Sequence, residues 1–387
     1  YQFVCLGGAM KHENYDPQTY TGDGWDEGDF RVFPVDGYGS PEMIRSILWT
    51  EKPDMLLFMT DPRFYGWLWQ IENEVRPLVP MVYYHVWDNY PFPQYNKKWY
   101  DSTDVIASIS KVTHDIVNNV SPDTENHYVP HAVQADVFKK LPKKDVADFK
   151  AENMGPDAKD KMIFFWNNRN ARRKQSGSLV LWFSEFAEEV GPENVCLIMH
   201  TDPKDGHGQD LEAIIHELGL IRGEILFSTL KIGAPDLAMM YNMGDLTINI
   251  SDAEGFGLAT LESLSCGTPI LVNMTGGLQE QVTDGENWFG IGLEPASKAV
   301  IGSQLVPYIY EDRVNKEEFL AALTELYEMG HEKRHALGEA GRQYVQEKYN
   351  FENFAKEWDK TLTAIHEKHG SWTTRTGYQK YEFKEIA

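Results

Sequence analysis

Residues 246–281 read LTINISDAEGFGLATLESLSCGTPILVNMTGGLQEQ, and the fold follows from how this stretch is parsed. Residues 246–250 form an apolar run without alternation, the pattern of a parallel strand covered on both faces. A Gly-rich turn carrying Glu254 follows, then a helix over 257–266, a second buried strand at 269–273 and a Gly-Gly turn into another helix start. Gly255 and Gly257 let backbone N–H groups come close to a bound group, and the new helix N-terminus favours an anion there. Glu254 in the turn and Glu262 along the helix place two carboxylates at different depths of one cleft, at the C-terminal edge of a sheet.

Strands alternate with helices on both sides of this unit. Upstream strands are expected at 1–6, 30–35, 55–60, 81–85, 105–108 and 127–130, with helices at about 41–51, 64–75 and 111–120. A second series has strands at 162–166, 195–200, 224–227, 246–250 and 269–273, and residues 316–366 read as helical. The rhythm predicts an α/β protein with two Rossmann-like, doubly wound parallel-sheet lobes facing a central cleft. The expected division is a lobe at 1–140, a charged linker at 141–160, a second lobe at 161–350 and a final helix and tail at 351–387.

At 387 residues the chain can bury two cores, and 42% hydrophobic with 13% aromatic residues is globular. A net charge of −23 disfavours nucleic acid, anionic membranes and polyanionic acceptors. Three cysteines at 5, 196 and 266 have no metal-type spacing and read as core thiols of a reduced, cytoplasmic compartment. No apolar run reaches membrane-spanning length. Oligomeric state is not encoded in any feature.

The string E-G-F-G-L-x-x-x-E-x-x-x-C-G-T-P followed by G-G-x-x-E resembles the donor-binding signature of family four retaining glycosyltransferases, which have the two-lobed GT-B fold. The resemblance is dense here, continues more loosely over most of the chain, and is silent on the acceptor. It implies transfer of a sugar from a nucleotide-diphosphate sugar to a saccharide, glycan or other hydroxyl compound, with no metal and no cofactor. Glu254 would hold hydroxyls of the donor sugar, the N–H groups of Gly255, Phe256, Gly257 and Leu258 would meet sugar or phosphate oxygens, and Glu262 would accept from the ribose. The basic run 169–174 (RNARRK) follows a strand, and the family's Arg and Lys five residues apart match Arg169 and Lys174 as the diphosphate clamp. Asn168 stands where the family often has Gly.

His85 ends the strand MVYYH, and the family has a His at this strand end near the donor sugar's reacting face. Val86 and Trp87 separate it from Asp88, where the family often has an acid directly after the His. In the Pro-containing loop that follows, Trp87, Tyr90, Phe92 and Tyr95 are placed to stack on acceptor sugar rings. His200, Asp202, Asp205 and His207 fit no strong metal-ligand template and read as a polar loop. His131 stands in place of the family's usual Asn and reads as structural. The family opens with a strand, a Gly-rich loop and a long helix; here Gly7-Gly8 precedes no helix, so residues 1–8 match its second strand and the natural protein is expected to begin upstream. Two rival readings remain: an epimerase or hydrolase on the same lobes, which needs a base not visible here, and a two-lobed sugar-binding protein, which needs no diphosphate clamp.

Overall fold

The computed structural model describes residues 1–8, 11–20, 24, 26, 28–155 and 158–378; residues 156–157 of the expected linker and the tail beyond 378 lie outside them. The first lobe contains two sheets. β1 (Phe3–Gly7), β2 (Gln18–Tyr20) and β3 (Phe30–Pro34) form one in the order β1-β3-β2, with β1 parallel to β3 and, among the described residues, partnered on that side alone. β4 (Leu56–Thr60), β5 (Met81–His85), β6 (Val105–Ser108) and β7 (Glu125–Tyr128) form a fully parallel second sheet in sequence order.

In the second lobe β8 (Met162–Asn167), β9 (Val195–His200), β10 (Ile225–Ser228), β11 (Leu246–Asn249), β12 (Ile270–Asn273) and β13 (Gly290–Leu293) are parallel, in the order β10-β9-β8-β11-β12-β13. The order reverses between β8 and β11, the switch point at which such sheets open a crevice. β8, β9, β11 and β12 are buried almost throughout, which explains their unalternating sequences. One apolar cluster on either face of this sheet forms the lobe's core: Phe164, Phe183 and Phe319 on one, Phe165, Tyr241 and Leu261 on the other.

β2, β13 and the antiparallel hairpin of β14 (Ser297–Ile301) and β15 (Ile309–Arg313) were not expected from the sequence. The helix expected over 64–75 is broken into a 3₁₀ turn and two short helices, Gly66–Gln70 and Glu72–Val75. The linker is mostly the helix Lys143–Met154, whose Val146 and Phe149 pack on the second lobe's core.

The chain passes between lobes twice, and the two crossings touch: Val133 bridges Asn350, and the Val133 N–H donates to the Tyr349 carbonyl at 2.9 Å. The helix Phe351–His369 then returns to the first lobe, burying Ile365 against Val82 and Val105. After it, Arg375 is almost fully buried and pairs with Asp104 at 2.7 Å.

Candidate functional site

The turn after β11 leads directly into the helix Leu258–Ser265, capped by Gly257 at φ +94°. That left-handed backbone requires glycine, and the first N–H groups of the helix have no intrahelical acceptor. The Gly-Gly turn after β12 packs on this one. A side chain at Gly276 would come within 1.8 Å of the Glu254 carbonyl, and one at Gly277 within 2.6 Å of the Phe256 Cα. The Gly277 N–H donates to the Glu254 carbonyl at 3.0 Å, locking the two turns together. The first lobe comes close as well, since a Cβ on Gly255 would meet the Val86 carbonyl at 3.2 Å. The Glu254 turn therefore sits at the junction of the lobes.

Lys174, only 7% exposed, makes an ion pair with Glu254. Burial pushes the Glu254 carboxyl up, but Lys174 and Arg173 outweigh it and leave the group below its ordinary value. Burial also draws the Lys174 ammonium down, opposed by Glu254 and Asp88. Arg173 donates to the Ala253 carbonyl at 2.6 Å and lies 4.0 Å from the Glu254 carboxylate. Asp88 faces this cluster from the first lobe: burial, offset by Arg173 and reinforced by Glu254, raises it to about 6.

Arg169, by contrast, does not join Lys174. It is bound to Asp205 through two bonds of 2.5 and 3.2 Å and to His207 at 2.6 Å. The polar loop after β9 thus serves as an anion for Arg169. Among the described residues no group of three or more His, Cys, Asp or Glu side chains could hold a metal ion. Arg172 is held by Glu311 of β15 at 2.5 and 2.8 Å, and Arg313 pairs with Asp252 at 2.9 Å. Nothing in the sequence pointed to Glu311 or Arg313, because their partners are 139 and about 60 residues away and the hairpin carrying them has no motif.

Glu262 accepts from the Tyr241 hydroxyl at 2.8 Å, and that hydroxyl accepts from Asn167 at 2.8 Å. Burial lifts the Glu262 carboxyl to about 7. Phe256 is buried and stands edge-on to His131 at 5.3 Å.

Three expectations for the first lobe need correction. His85 was expected to face the cleft, but its ring is fully buried, lies 4.6 Å from the Tyr83 ring and bonds Tyr100 at 2.7 Å. The alternation of β5 puts Tyr83 and His85 on the face covered by helices. Burial drives the imidazole down to about 3, so it is neutral. Trp87, expected to stack on an acceptor, is 6% exposed and donates to the Asn89 carbonyl. Tyr90 is engaged too: its hydroxyl binds Asp115 at 3.0 Å and its carbonyl accepts from the Tyr310 N–H at 2.6 Å. The aromatic loop is mostly an interface with the β14–β15 hairpin, and Phe92 is its exposed ring.

Across the lobes, Glu280 of the G-G-x-x-E string is 5% exposed, accepts from Tyr128 at 2.9 Å and faces the Lys111 N–H at 3.4 Å, and burial lifts it to about 7. No helix of the described residues is long and apolar enough to cross a membrane.

The chain is 39% identical over 89 residues to a D-inositol 3-phosphate glycosyltransferase of Thermomonospora curvata, covering 23% of this chain and 20% of that protein. It is 22% identical over 264 residues to the N-acetyl-alpha-D-glucosaminyl L-malate synthase of Bacillus anthracis, covering 67% of this chain and 59% of that protein. These matches span less than two thirds of the relatives' lengths. In structure the chain is similar to the sucrose-phosphate synthase of Thermosynechococcus elongatus, with a TM-score of 0.71 at 17% identity over 94% of this chain and 89% of that one. HepE of Anabaena, solved with UDP and glucose, follows at a TM-score of 0.65 and 15% identity, over 87% and 86% of the two chains. Such likeness at low identity shows the fold, GT-B. The profile of the glycosyl transferases group 1 matches residues 147–344, which hold the Lys174–Glu254 pair, both glycine turns and Glu262, and the chain belongs to that family.

Proposed function

We propose that the protein is a retaining glycosyltransferase that moves a sugar from a nucleotide-diphosphate sugar to a hydroxyl acceptor without a metal or cofactor. The observation that carries this reading is the buried Lys174–Glu254 pair beneath the glycine turns, at the edge where the lobes meet. An ammonium has three donors and Glu254 takes one, so two remain for diphosphate oxygens. Arg173 adds a second cation beside the same carboxylate, and the open N–H groups at Leu258 add dipoles. Fixed positive groups placed where leaving-group charge develops are the dominant source of rate in such reactions. Glu254 holds donor-sugar hydroxyls and Glu262, backed by Tyr241, holds the ribose. Retention would follow if the leaving phosphate takes the acceptor proton on the face from which it departs.

Asp88 favours a second reading, since a carboxylate near 6 beside Glu254 is the base that a nucleotide-sugar hydrolase requires. One experiment separates them. The protein is incubated with a panel of nucleotide sugars, with and without candidate acceptors and with a chelator. Released nucleotide, free sugar and the anomeric configuration of the product are followed by NMR. Acceptor-dependent release with retained configuration in chelator supports transfer. Acceptor-independent free sugar that disappears in Asp88→Asn supports hydrolysis.

A further inference from the structure

We infer that His200, oriented by Ser228, recognises the base of the donor nucleotide and selects a base with a ring N–H beside a carbonyl, as in uracil or guanine. This rests on the nucleotide-sugar reading above and concerns the same cleft.

The argument starts from register. Asn167, His200 and Ser228 end the adjacent strands β8, β9 and β10; Asn167 pairs with His200, and His200 with Ser228. Their side chains form a row along the C-terminal edge. At one end Asn167 donates to Tyr241, which donates to Glu262, the group assigned to the ribose. At the other end the His200 Nδ1 lies 2.9 Å from the Ser228 Oγ. The helix Ala234–Met243 backs the whole row, Tyr241 behind Asn167 and Met240 behind Ser228. A base attached to a ribose on Glu262 therefore meets His200 next along this edge.

Hydrogen-bond direction sets what His200 can read. The Met240 sulfur lies 3.9 Å from the Ser228 Oγ and can only accept, so the Ser228 hydroxyl is assigned as its donor. Ser228 then accepts from the Nδ1–H of His200, and the Nε2 of a neutral ring carries a bare lone pair. Burial lowers the imidazole below its ordinary value, which keeps it neutral at pH 7. A lone pair fits the ring N–H of uracil or guanine, whereas cytosine and adenine present a bare ring nitrogen at that position.

Calorimetric titration of the full chain with UDP, GDP, CDP, ADP and pyrophosphate tests the assignment. The wild-type protein should bind UDP or GDP about tenfold more tightly than CDP and ADP, the worth of one specific hydrogen bond. His200→Ala should erase most of that preference and leave pyrophosphate affinity unchanged, which also shows that the variant is folded. Ser228→Ala, which frees the tautomer, should reduce the preference while leaving pyrophosphate unchanged. Equal wild-type affinity for all four nucleotides, or a preference preserved in His200→Ala, overturns the inference and spares the transferase reading. Failure of every nucleotide to bind the folded wild type overturns both.

Discussion

At the scale of single residues the site is a set of cations already neutralised by acids. Lys174 is held by Glu254, Arg172 by Glu311 and Arg169 by Asp205. Removing one member of the buried pair leaves the other charge without compensation, which costs about 3–5 kcal/mol. Lys174→Met should therefore lower the melting temperature as well as diphosphate affinity, whereas Arg169→Ala, at an exposed site, should leave stability unchanged. Asp205→Asn separates two roles for Arg169: if its guanidinium clamps phosphate, freeing it should strengthen binding of nucleoside diphosphate over nucleoside. Unchanged affinity by calorimetry would make Arg169 a surface group. Glu262 supplies a pH test. Its carboxyl lies at about 7 against an ordinary 4.5, so between those values the folded state holds a proton that the unfolded state has lost. That contribution to stability is full below pH 4.5 and declines as pH rises through 7. Binding runs the other way, because ribose hydroxyls require the ionised acceptor. Nucleotide affinity should rise through pH 7, and Glu262→Gln should flatten both profiles.

At the scale of elements, the second lobe was largely legible because its strands are continuous apolar runs and its turns carry glycines with a steric reason to be there. β8, β9, β11 and β12 fall within a residue or two of their expected limits. Period and composition cannot show which strand ends will be crossed by a distant segment, and this is where the sequence reading failed. Trp87 and Tyr90 look like an open aromatic shelf in sequence, yet β15 lies against them. His85 looks like a cleft residue, yet its face of β5 is covered by helices. Asp88 was displaced from the family's position by two residues and gained its significance only from Arg173 and Glu254 across the cleft. The paired turns make a sharp prediction at this scale. Gly276→Ala and Gly277→Ala each drive a methyl group into the backbone of the Glu254 turn, with nothing flexible to yield. Both should abolish nucleotide-sugar binding while the first lobe keeps its fold. Near-normal donor affinity in either variant would show that the two turns move independently.

At the scale of the molecule, two connections stand out beside the Glu280–Tyr128 bond across the lobes. The paired crossings at Val133 and Tyr349 form a compact pivot, narrower than the linker expected at 141–160, because the helix Lys143–Met154 is packed on the second lobe. The β14–β15 hairpin is the other connection. Its base is fixed to the second lobe by Asp252–Arg313 and by Thr275 donating to Asp312 at 2.8 Å. Its far end belongs to the first lobe: Val306 is 7% exposed within that lobe's apolar cluster, Asn89 donates to the Tyr310 carbonyl at 2.9 Å, and Tyr95 donates to the Tyr308 carbonyl at 2.8 Å. Hinge closure around a donor must therefore carry the hairpin with the first lobe or detach its tip. Val306→Ala removes two buried carbons, about 1.5 kcal/mol, and Val306→Asp places a charge among the aromatics at a larger cost. The expected outcome is a larger radius of gyration for Val306→Asp in solution scattering, an intermediate one for Val306→Ala and an unchanged circular dichroism spectrum for both. Compaction on adding nucleotide sugar should then be greater than in the wild type, because the opened variants have further to close. Superimposable scattering profiles for all three proteins would mean that the pivot and the Glu280–Tyr128 bond, and not the hairpin, set the distance between the lobes.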